Sequence, residues 1–551
     1  MGKISAMAKK VFAKPPGYAL ACAAMSIGSF LNGYDTGCIG AITEMHYFEE
    51  VFGKLSPTLR GTTVSLVMLG GVLPGFFAGQ LSDRFGRLSI ICLGAVIFSL
   101  GAILQGAAFH LPMFLVGRVF CGIGEGTWMS NVYVYIAEIA PSARRGMLAS
   151  TPAFMAATGV CVGYFTCYGS VHLGSSLSWR VPYIVQAGLS LIWATSCFFL
   201  PQSPRWLLFH GQRERAIQEL KRLDFSTVEA EKDLLGPAAE PQRLARPGAV
   251  EGLVMLFRRQ YRSRTMLALF VLGMVQLCGI DGVLYYAPTL FAQAGIPAAN
   301  SSFLASGLSA ILMLAISIPV TIYGDKIPRR ASVLIGGTLL GSCMFIIGLL
   351  YATDSVHATG PARWVVIILV FIFGLSYCAT WGVVGKIYAS EIQPPATRSS
   401  ANSVASGLGF FTNWLVAITT PIFLAQSRFG AYFLFAGFCI FTVLVLAAYM
   451  PETKGLSLEA IQEAFRQPVT GGSRVTSYLR RWTFGRRAAA TPVSSGAELP
   501  TSDNGSSDNE QGRESYEMSG GILQGVGILP DAASNTSALE SGARVVRMEA
   551  A

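Results

Sequence analysis

Two side chains of opposite charge, Asp35 and Arg118, stand inside stretches of sequence otherwise suited only to hydrocarbon. A charge within an apolar span is costly, so by default it marks a function and calls for a partner. Opposite charges within about 4–6 Å hold a carboxylate ionised, and parting them removes that support. A static ion pair that only fixes helix packing is the plainer reading. A second set of charged residues falls at the ends of the apolar runs: Asp83, Arg87, Glu138, Arg145, Asp325, Arg329, Glu391 and Arg398. Pairing among these across two moving bodies would close a passage, and breaking the pairs would open it. The alternative is that they cap helices and anchor loops at the headgroups.

Other chemistry is missing. The chain has only five His, no nucleophile elbow and no metal-ligand spacing, so no catalytic residue, metal or cofactor is expected. Eleven cysteines lie in apolar stretches, among them Cys22, Cys92, Cys161 and Cys343, with no CxxC spacing. They read as small buried side chains rather than disulfides or ligands. Gly122-x-Gly124-x-Gly126 follows no strand and precedes no phosphate-binding Lys, so it is not a nucleotide loop.

The elements that must position these residues follow from composition. Of 551 residues 52% are hydrophobic and only 13% charged, where soluble proteins carry roughly 25%. A helix crosses the hydrocarbon core with about 20 apolar residues. Twelve stretches qualify, numbered here as spans 1 to 12: 18–40, 62–80, 88–108, 112–137, 148–168, 181–200, 265–293, 304–324, 331–352, 364–389, 401–425 and 431–450. In lipid the backbone must satisfy itself, which makes these spans helices. The net charge of +10 sits in short loops and tails, the pattern of cytoplasmic loops and not of a nucleic-acid-binding face.

Counting Lys and Arg places Arg84, Arg87, Arg144, Arg145, Lys326, Arg329, Arg330 and Arg398 on one side, together with both tails and the 201–264 segment. Both termini are therefore expected in the cytoplasm. The expected organisation is an N-terminal tail (1–17), a six-helix bundle (18–200), a cytoplasmic linker with short helices (201–264), a second bundle (265–450) and a cytoplasmic tail (451–551). The tail is rich in Ser, Gly, Ala and Glu, and largely disordered. The first span is too long for a signal-peptide core and is expected to be retained. Asn300-Ser301-Ser302 is a glycosylation acceptor placed outside by this topology, while Asn504 and Asn535 fall inside. Gly71, Gly75 and Gly79 in span 2 form a small-residue stripe for close helix packing.

The two bundles repeat one another. Asp83 to Arg87 after span 2 is echoed by Asp325 to Arg330 after span 8, an offset of 242 between the aspartates. Glu138 with Arg145 is echoed by Glu391 with Arg398, offset 253. Pro201-Gln202-Ser203-Pro204-Arg205 is echoed by Pro451-Glu452-Thr453-Lys454-Gly455, offset 250. Three echoes in register mean duplication, the layout of alternating-access transporters.

These motifs together resemble the sugar porter family of the major facilitator superfamily, particularly its fungal members. The likeness runs from Gly33 to Gly455. It rests on Gly33-Tyr34-Asp35-Thr36-Gly37, the 79–87 loop, Gly117-Arg118 with the glycines that follow, and Trp179-Arg180. Beyond the linker it continues in Gln276-x-x-Gly279-Ile280-Asp281 with Tyr285-Tyr286, then in Asn413-Trp414 and Pro451 to Gly455. The resemblance implies an all-α membrane protein of twelve helices in two pseudo-symmetric bundles. It implies a monomer in the plasma membrane that imports a sugar or polyol, with Asp35 taking up a proton beside Arg118. Partners would be the solute, protons and lipid.

Sugar sites need amides for hydroxyls and aromatic rings for pyranose faces. The resemblance assigns this role to Gln276, Asp281, Tyr285, Tyr286, Asn413 and Trp414. The chain also departs from the family there. Ala153, Val275, Met313 and Ala417 stand where amides are usual, Asp281 where an Asn is usual, and Lys386 where an aromatic ring is usual. Lys386 either binds a carboxylate-bearing solute or snorkels toward Glu138 and Glu391; an Asp281–Lys386 pair is a further option. Three readings therefore stay open: sugar or polyol import with a proton, transport of an organic acid or export of a metabolite, and a non-transporting nutrient sensor.

Overall fold

The computed structural model describes residues 15–141, 144–225, 249–295, 299–323, 326–357, 360–393, 397–454 and 465. Asp325, Asn504, Asn535, the first fourteen residues, linker residues 226–248 and the tail after Lys454 except Phe465 lie outside them. The side chains of Arg145, Asn300 and Arg398 do so as well.

Regular structure among the described residues is helical. Span 1 is α1 (Gly17–Met25) and α2 (Ile27–Ile42), separated by Ser26, and α3 (His46–Phe52) follows it. Spans 2 to 6 are α4 (Pro57–Phe85), α5 (Arg87–Gly106), α6 (Leu111–Ile139), α7 (Arg145–Ser170) and α8 (Leu177–Ser196). The linker contributes α9 (Pro204–Phe209), α10 (Arg213–Arg222) and α11 (Ala249–Leu256). Span 7 is broken into α12 (Arg262–Leu277), α13 (Ile280–Tyr285) and α14 (Ala287–Gln293). Spans 8 and 9 are α15 (Ala299–Tyr323) and α16 (Arg329–Ala352). Span 10 is broken into α17 (Ala362–Ala379) and α18 (Trp381–Glu391). Spans 11 and 12 are α19 (Arg398–Gln426) and α20 (Gly430–Tyr449).

Spans 2, 4 and 11 have 29 residues each. At the standard rise that is roughly 43 Å, well over the ~30 Å hydrocarbon core. The surplus carries Asp83 and Glu138 past the hydrocarbon on the polar last turns of spans 2 and 4, the end called here the motif end. The opposite end is the far end.

Large apolar side chains such as Leu73, Ile192, Phe198, Ile335 and Leu444 point outward, as lipid solvation allows. Inside, one apolar core fills each half. Span 2 packs along span 11 and span 5 along span 8, two pairings that the internal repeat exchanges. The glycine stripe does serve close packing: a Cβ on Gly75 would meet the Gly407 backbone at 3.1 Å.

Two breaks shape the centre. Span 7 turns at Gly279, whose φ of 91° lies in the left-handed region that suits glycine. Span 10 turns at Thr380, with φ −129° and ψ −80°. Their counterparts in the first half, spans 1 and 4, have no comparable break. Broken spans beside a mid-membrane site are a recurrent transporter device, because irregular backbone is tolerated where protein covers it.

Candidate functional site: the seam between the halves

Asp35 and Arg118 are brought together, and both are buried. Arg118 Nη1 donates to both Asp35 oxygens at 2.8 Å. Its other nitrogens donate to backbone carbonyls of span 2, Thr63 at 3.2 Å and Val64 at 2.8 Å. Gln186 of span 6 donates its amide to Asp35 Oδ1 at 3.2 Å. Four spans thus meet at one ion pair. The guanidinium is fully engaged, as a buried cation must be.

Seven residues toward the motif end, at the middle of span 4, lies a carboxylate that the sequence reading missed. Glu125 was passed over as the variable position of Gly122-x-Gly124-x-Gly126. It is fully buried, and Asn32 of span 1 donates its amide to Glu125 Oε1. Glu125 Oε2 has no hydrogen-bond partner among the described residues. The rule that singled out Asp35 applies equally to Glu125 and would have found it.

The second half faces it with Asp281, just past the Gly279 break. Asp281 is buried beside Asn413 and within the field of Lys386, and its Oδ2 is also unpartnered among the described residues. Gln276 accepts a hydrogen bond from the Tyr377 hydroxyl at 3.2 Å, so Tyr377 joins the predicted set. Trp414 packs partly buried against the first half's core. Beside Val283 and Phe291, Met313 lines a narrow apolar gap between spans 5, 7, 8 and 10. An amide at position 313 would have made that wall polar.

Lys386 makes no ion pair with Glu138 or Glu391 among the described residues. Its Nζ lies over the ring of Tyr133 of span 4, 5.7 Å from the centroid, a cation–π contact across the two halves. The Glu138 and Glu391 carboxylates are occupied by other groups.

Tyr285 and Tyr286 belong to the far-end seam in this conformation. A Cβ on Gly40 would fall 1.9 Å from the Tyr285 carbonyl oxygen, so spans 1 and 7 touch backbone to backbone. The Tyr286 hydroxyl donates to the Ala417 carbonyl at 2.8 Å, and Arg60 sits 5.5 Å above its ring. Arg60 pairs with Glu44 at 2.5 Å and donates to Thr289 at 3.2 Å, while Thr289 donates to Glu44 at 3.0 Å. This three-residue clasp closes the far end and was also missed. Its signal is an Arg in the first turn of span 2, at an end poor in basic residues.

At the motif end Arg87 pairs with Asp83 at 2.6 Å and Glu138 at 3.0 Å, and Ser203 donates to Glu138 at 2.5 Å. Arg329 pairs with Glu391 at 3.0 Å, and Thr453 donates to Glu391 at 2.8 Å. These pairs each join elements of one half; Asp325 and the side chains of Arg145 and Arg398, on which pairing across the halves also rests, lie outside the described residues. Glu138 and Glu391 end spans 4 and 10 beside the loops that carry Ser203 and Thr453. The repeat is therefore three-dimensional, an Arg–Glu–hydroxyl triad built twice. Glu452 adds a cap by accepting from the Arg329 and Arg330 backbone N–H groups at 2.9 and 3.0 Å.

Known proteins share sequence and fold with this chain. Residues 21–465 match the family described as sugar (and other) transporter. The MFS-type transporter criB of Aspergillus cristatus is 31% identical over 451 residues, covering 81% of this chain and 93% of the relative. Sugar transport protein MST3 of Oryza sativa subsp. japonica is 27% identical over 463 residues, covering 80% and 88%. The solved proton:xylose symporter XylE, from E. coli, superposes with a TM-score of 0.68 at 24% identity, over 82% of this chain and 99% of that one, which shows the shared fold. The chain belongs to the sugar (and other) transporter family, the sugar porters of the major facilitator superfamily, and is a multi-pass membrane transporter and not an enzyme.

Proposed function

We propose that the protein imports a polyhydroxylated solute, a sugar or polyol, together with a proton, by rocking its two halves about a mid-membrane site. The buried Asp35–Arg118 pair carries this reading. It joins four spans of one half, so movement of those spans changes how well Arg118 compensates the carboxylate, and with it proton occupancy. The relatives are named for sugar transport and, in XylE, for xylose–proton symport.

In this reading the motif end faces the cytoplasm with both termini, the membrane is the plasma membrane, and the working unit is a monomer. Asn300 lies outside as a glycosylation acceptor. The far-end clasp of Glu44, Arg60 and Thr289 is the outer gate, closed here. The organic-acid reading loses its motive, because Lys386 is engaged by Tyr133 and the field of Asp281.

The test is uptake of labelled glucose, xylose, myo-inositol and galacturonate by cells lacking their own porters, with and without a protonophore. Saturable neutral-solute uptake, abolished by the protonophore and lost in Asp35→Asn, supports the proposal. Uptake of galacturonate alone, or neutral uptake indifferent to the protonophore, overturns it.

A further inference from the structure

The charges at mid-membrane do not balance within the chain. Asp35 and Arg118 neutralise each other. Two carboxylates then remain, Glu125 on the first half and Asp281 on the second, with Asp281 among the charges that act on Glu125. Among the described residues Lys386 is the remaining cation in the field of Asp281, and it also faces Tyr133. With both carboxylates ionised, the centre is one positive charge short among the described residues.

Its hydrogen bonding is short in the same sense. Glu125 Oε2, Asp281 Oδ2 and Asn413 Oδ1 are all buried acceptor oxygens without a partner among the described residues. An ionised carboxylate accepts and never donates. Asn32 already donates to the other Glu125 oxygen, which is the arrangement that suits the ionised form. What completes such a site is a group that carries several N–H or O–H donors and a positive charge. An ammonium has three donors, no acceptor and one charge.

We infer, resting on the transport reading above, that Glu125 and Asp281 form a subsite for a protonated amine on the cargo, so that the solute is a polyhydroxylated amine of the amino-sugar class. The remaining hydroxyls meet Asn413, Gln276 and Tyr377, which supply amide and phenol groups on the second half. The two carboxylates replace the amides missing at Ala153, Val275, Met313 and Ala417, and they reverse the preference that Lys386 alone would give. A carboxylate-bearing solute is repelled here. Glu125 and Asp281 sit on opposite halves, so an ammonium held by both would draw the halves together over it.

The test uses the purified full chain in detergent micelles, with thermal unfolding followed as ligand is titrated. A ligand that binds only the folded state raises the midpoint in proportion to the logarithm of its occupancy term. The probes are glucosamine, N-acetylglucosamine, glucose and glucuronate. Glucosamine is expected to bind at least tenfold more tightly than N-acetylglucosamine or glucose, with no shift from glucuronate. Glu125→Gln is expected to abolish the tenfold preference of glucosamine over N-acetylglucosamine. If Glu125→Gln fails to fold, Asp281→Asn provides the same comparison. Equal shifts from glucosamine and its acetylated form, or a preference that survives both substitutions, overturns the inference.

Proteoliposomes with an imposed proton gradient separate the two proposals. Proton-driven glucose uptake without amine preference sinks the subsite and leaves the transport reading standing. Tight glucosamine binding with no proton-driven movement of any solute does the reverse.

Discussion

Replacing Asp35 by Asn tests the energetic centre of the first half. In the native pair Arg118 Nη1 reaches both carboxylate oxygens at 2.8 Å, in a site where neither side chain meets solvent. The amide keeps one acceptor and turns an N–H₂ toward the guanidinium, so a charge-assisted bond worth about 1.5–3 kcal/mol is lost. A buried cation also loses its counter-charge, and breaking such pairs costs about 3–5 kcal/mol in all. The Thr63 and Val64 carbonyls remain as acceptors for Arg118, which places the expected loss near the lower end, about 3 kcal/mol. Arg118→Gln should cost about as much, since it strands the carboxylate. The double variant removes both charges and should cost no more than either single one, because a neutral buried pair carries no comparable penalty. The predicted coupling is then about 3 kcal/mol, on the order of a hundredfold in the folded-to-unfolded ratio. Unfolding can be followed with a thiol-reactive dye, since the eleven cysteines are free and most are buried until the chain opens. If the two single losses simply add in the double variant, the pair is not the coupled unit described here, and its role in proton binding loses its basis.

Three shorter predictions follow from the ends of the molecule and from span 7. Arg60→Ala unclasps Glu44 and Thr289 at the far end, so a cysteine placed at Thr289 should react with an impermeant maleimide faster than in a chain that keeps Arg60; an unchanged rate would argue against the clasp. Ser203→Ala and Thr453→Ala remove equivalent hydroxyls from the two triads and should each cost about 1 kcal/mol in unfolding measurements, with additive effects because they stand in different halves. Gly279→Ala adds a Cβ 2.5 Å from the Phe435 ring at a residue with φ of 91°, so it should lower the unfolding midpoint and solute affinity together; a silent substitution would mean that the break in span 7 is soft.

The spans were legible because burial in lipid leaves helix as the only option for a long apolar run. Their polar ends were not. Spans 2 and 11 run from Pro57 and Arg398, several residues beyond the apolar stretch, since a helix continues past the hydrocarbon where its last turns find partners. The Asp35–Arg118 pair was visible as two charges with no other reason to be there. Glu125 obeyed the same logic but was hidden in a glycine pattern that drew attention to the backbone. At the motif end residue type told that Arg87 and Arg329 would find carboxylates, while loop geometry supplied Ser203 and Thr453 as the further partners of Glu138 and Glu391. The breaks in spans 7 and 10 had weak signals, Gly279 and Thr380, within runs apolar enough to read as continuous.

The Lys386–Tyr133 contact shows where the two halves turn. Glu138 and Glu391 fix the register of spans 4 and 10 at an offset of 253, and subtracting 253 from 386 gives 133. Lys386 and Tyr133 are therefore equivalent positions of the repeat, and they touch each other. Equivalent positions related by a two-fold axis touch only where the axis passes between them. The contact thus marks the pseudo-two-fold axis, eight residues below Glu125 on span 4 and about 12 Å nearer the motif end at the standard rise. A pair on the axis below the mid-membrane site must part when that side opens, whichever half is taken as fixed. The repeat makes the pair unlike, cation on ring, where identical residues would give either repulsion or simple stacking. A cation–π contact shielded from solvent contributes about 2 kcal/mol, and an exposed one about 0.5–1 kcal/mol. Either value is enough to bias two states and small enough to be reversed by a bound solute. Lys386→Met keeps the apolar stem and removes the charge, so it should populate the motif-end-open state several-fold more. Distance measurements between spin labels at Ser150 and Thr321, which face each other across spans 5 and 8 with a 3.4 Å hydrogen bond, would read that shift. An unchanged distance distribution would mean that the contact holds nothing closed.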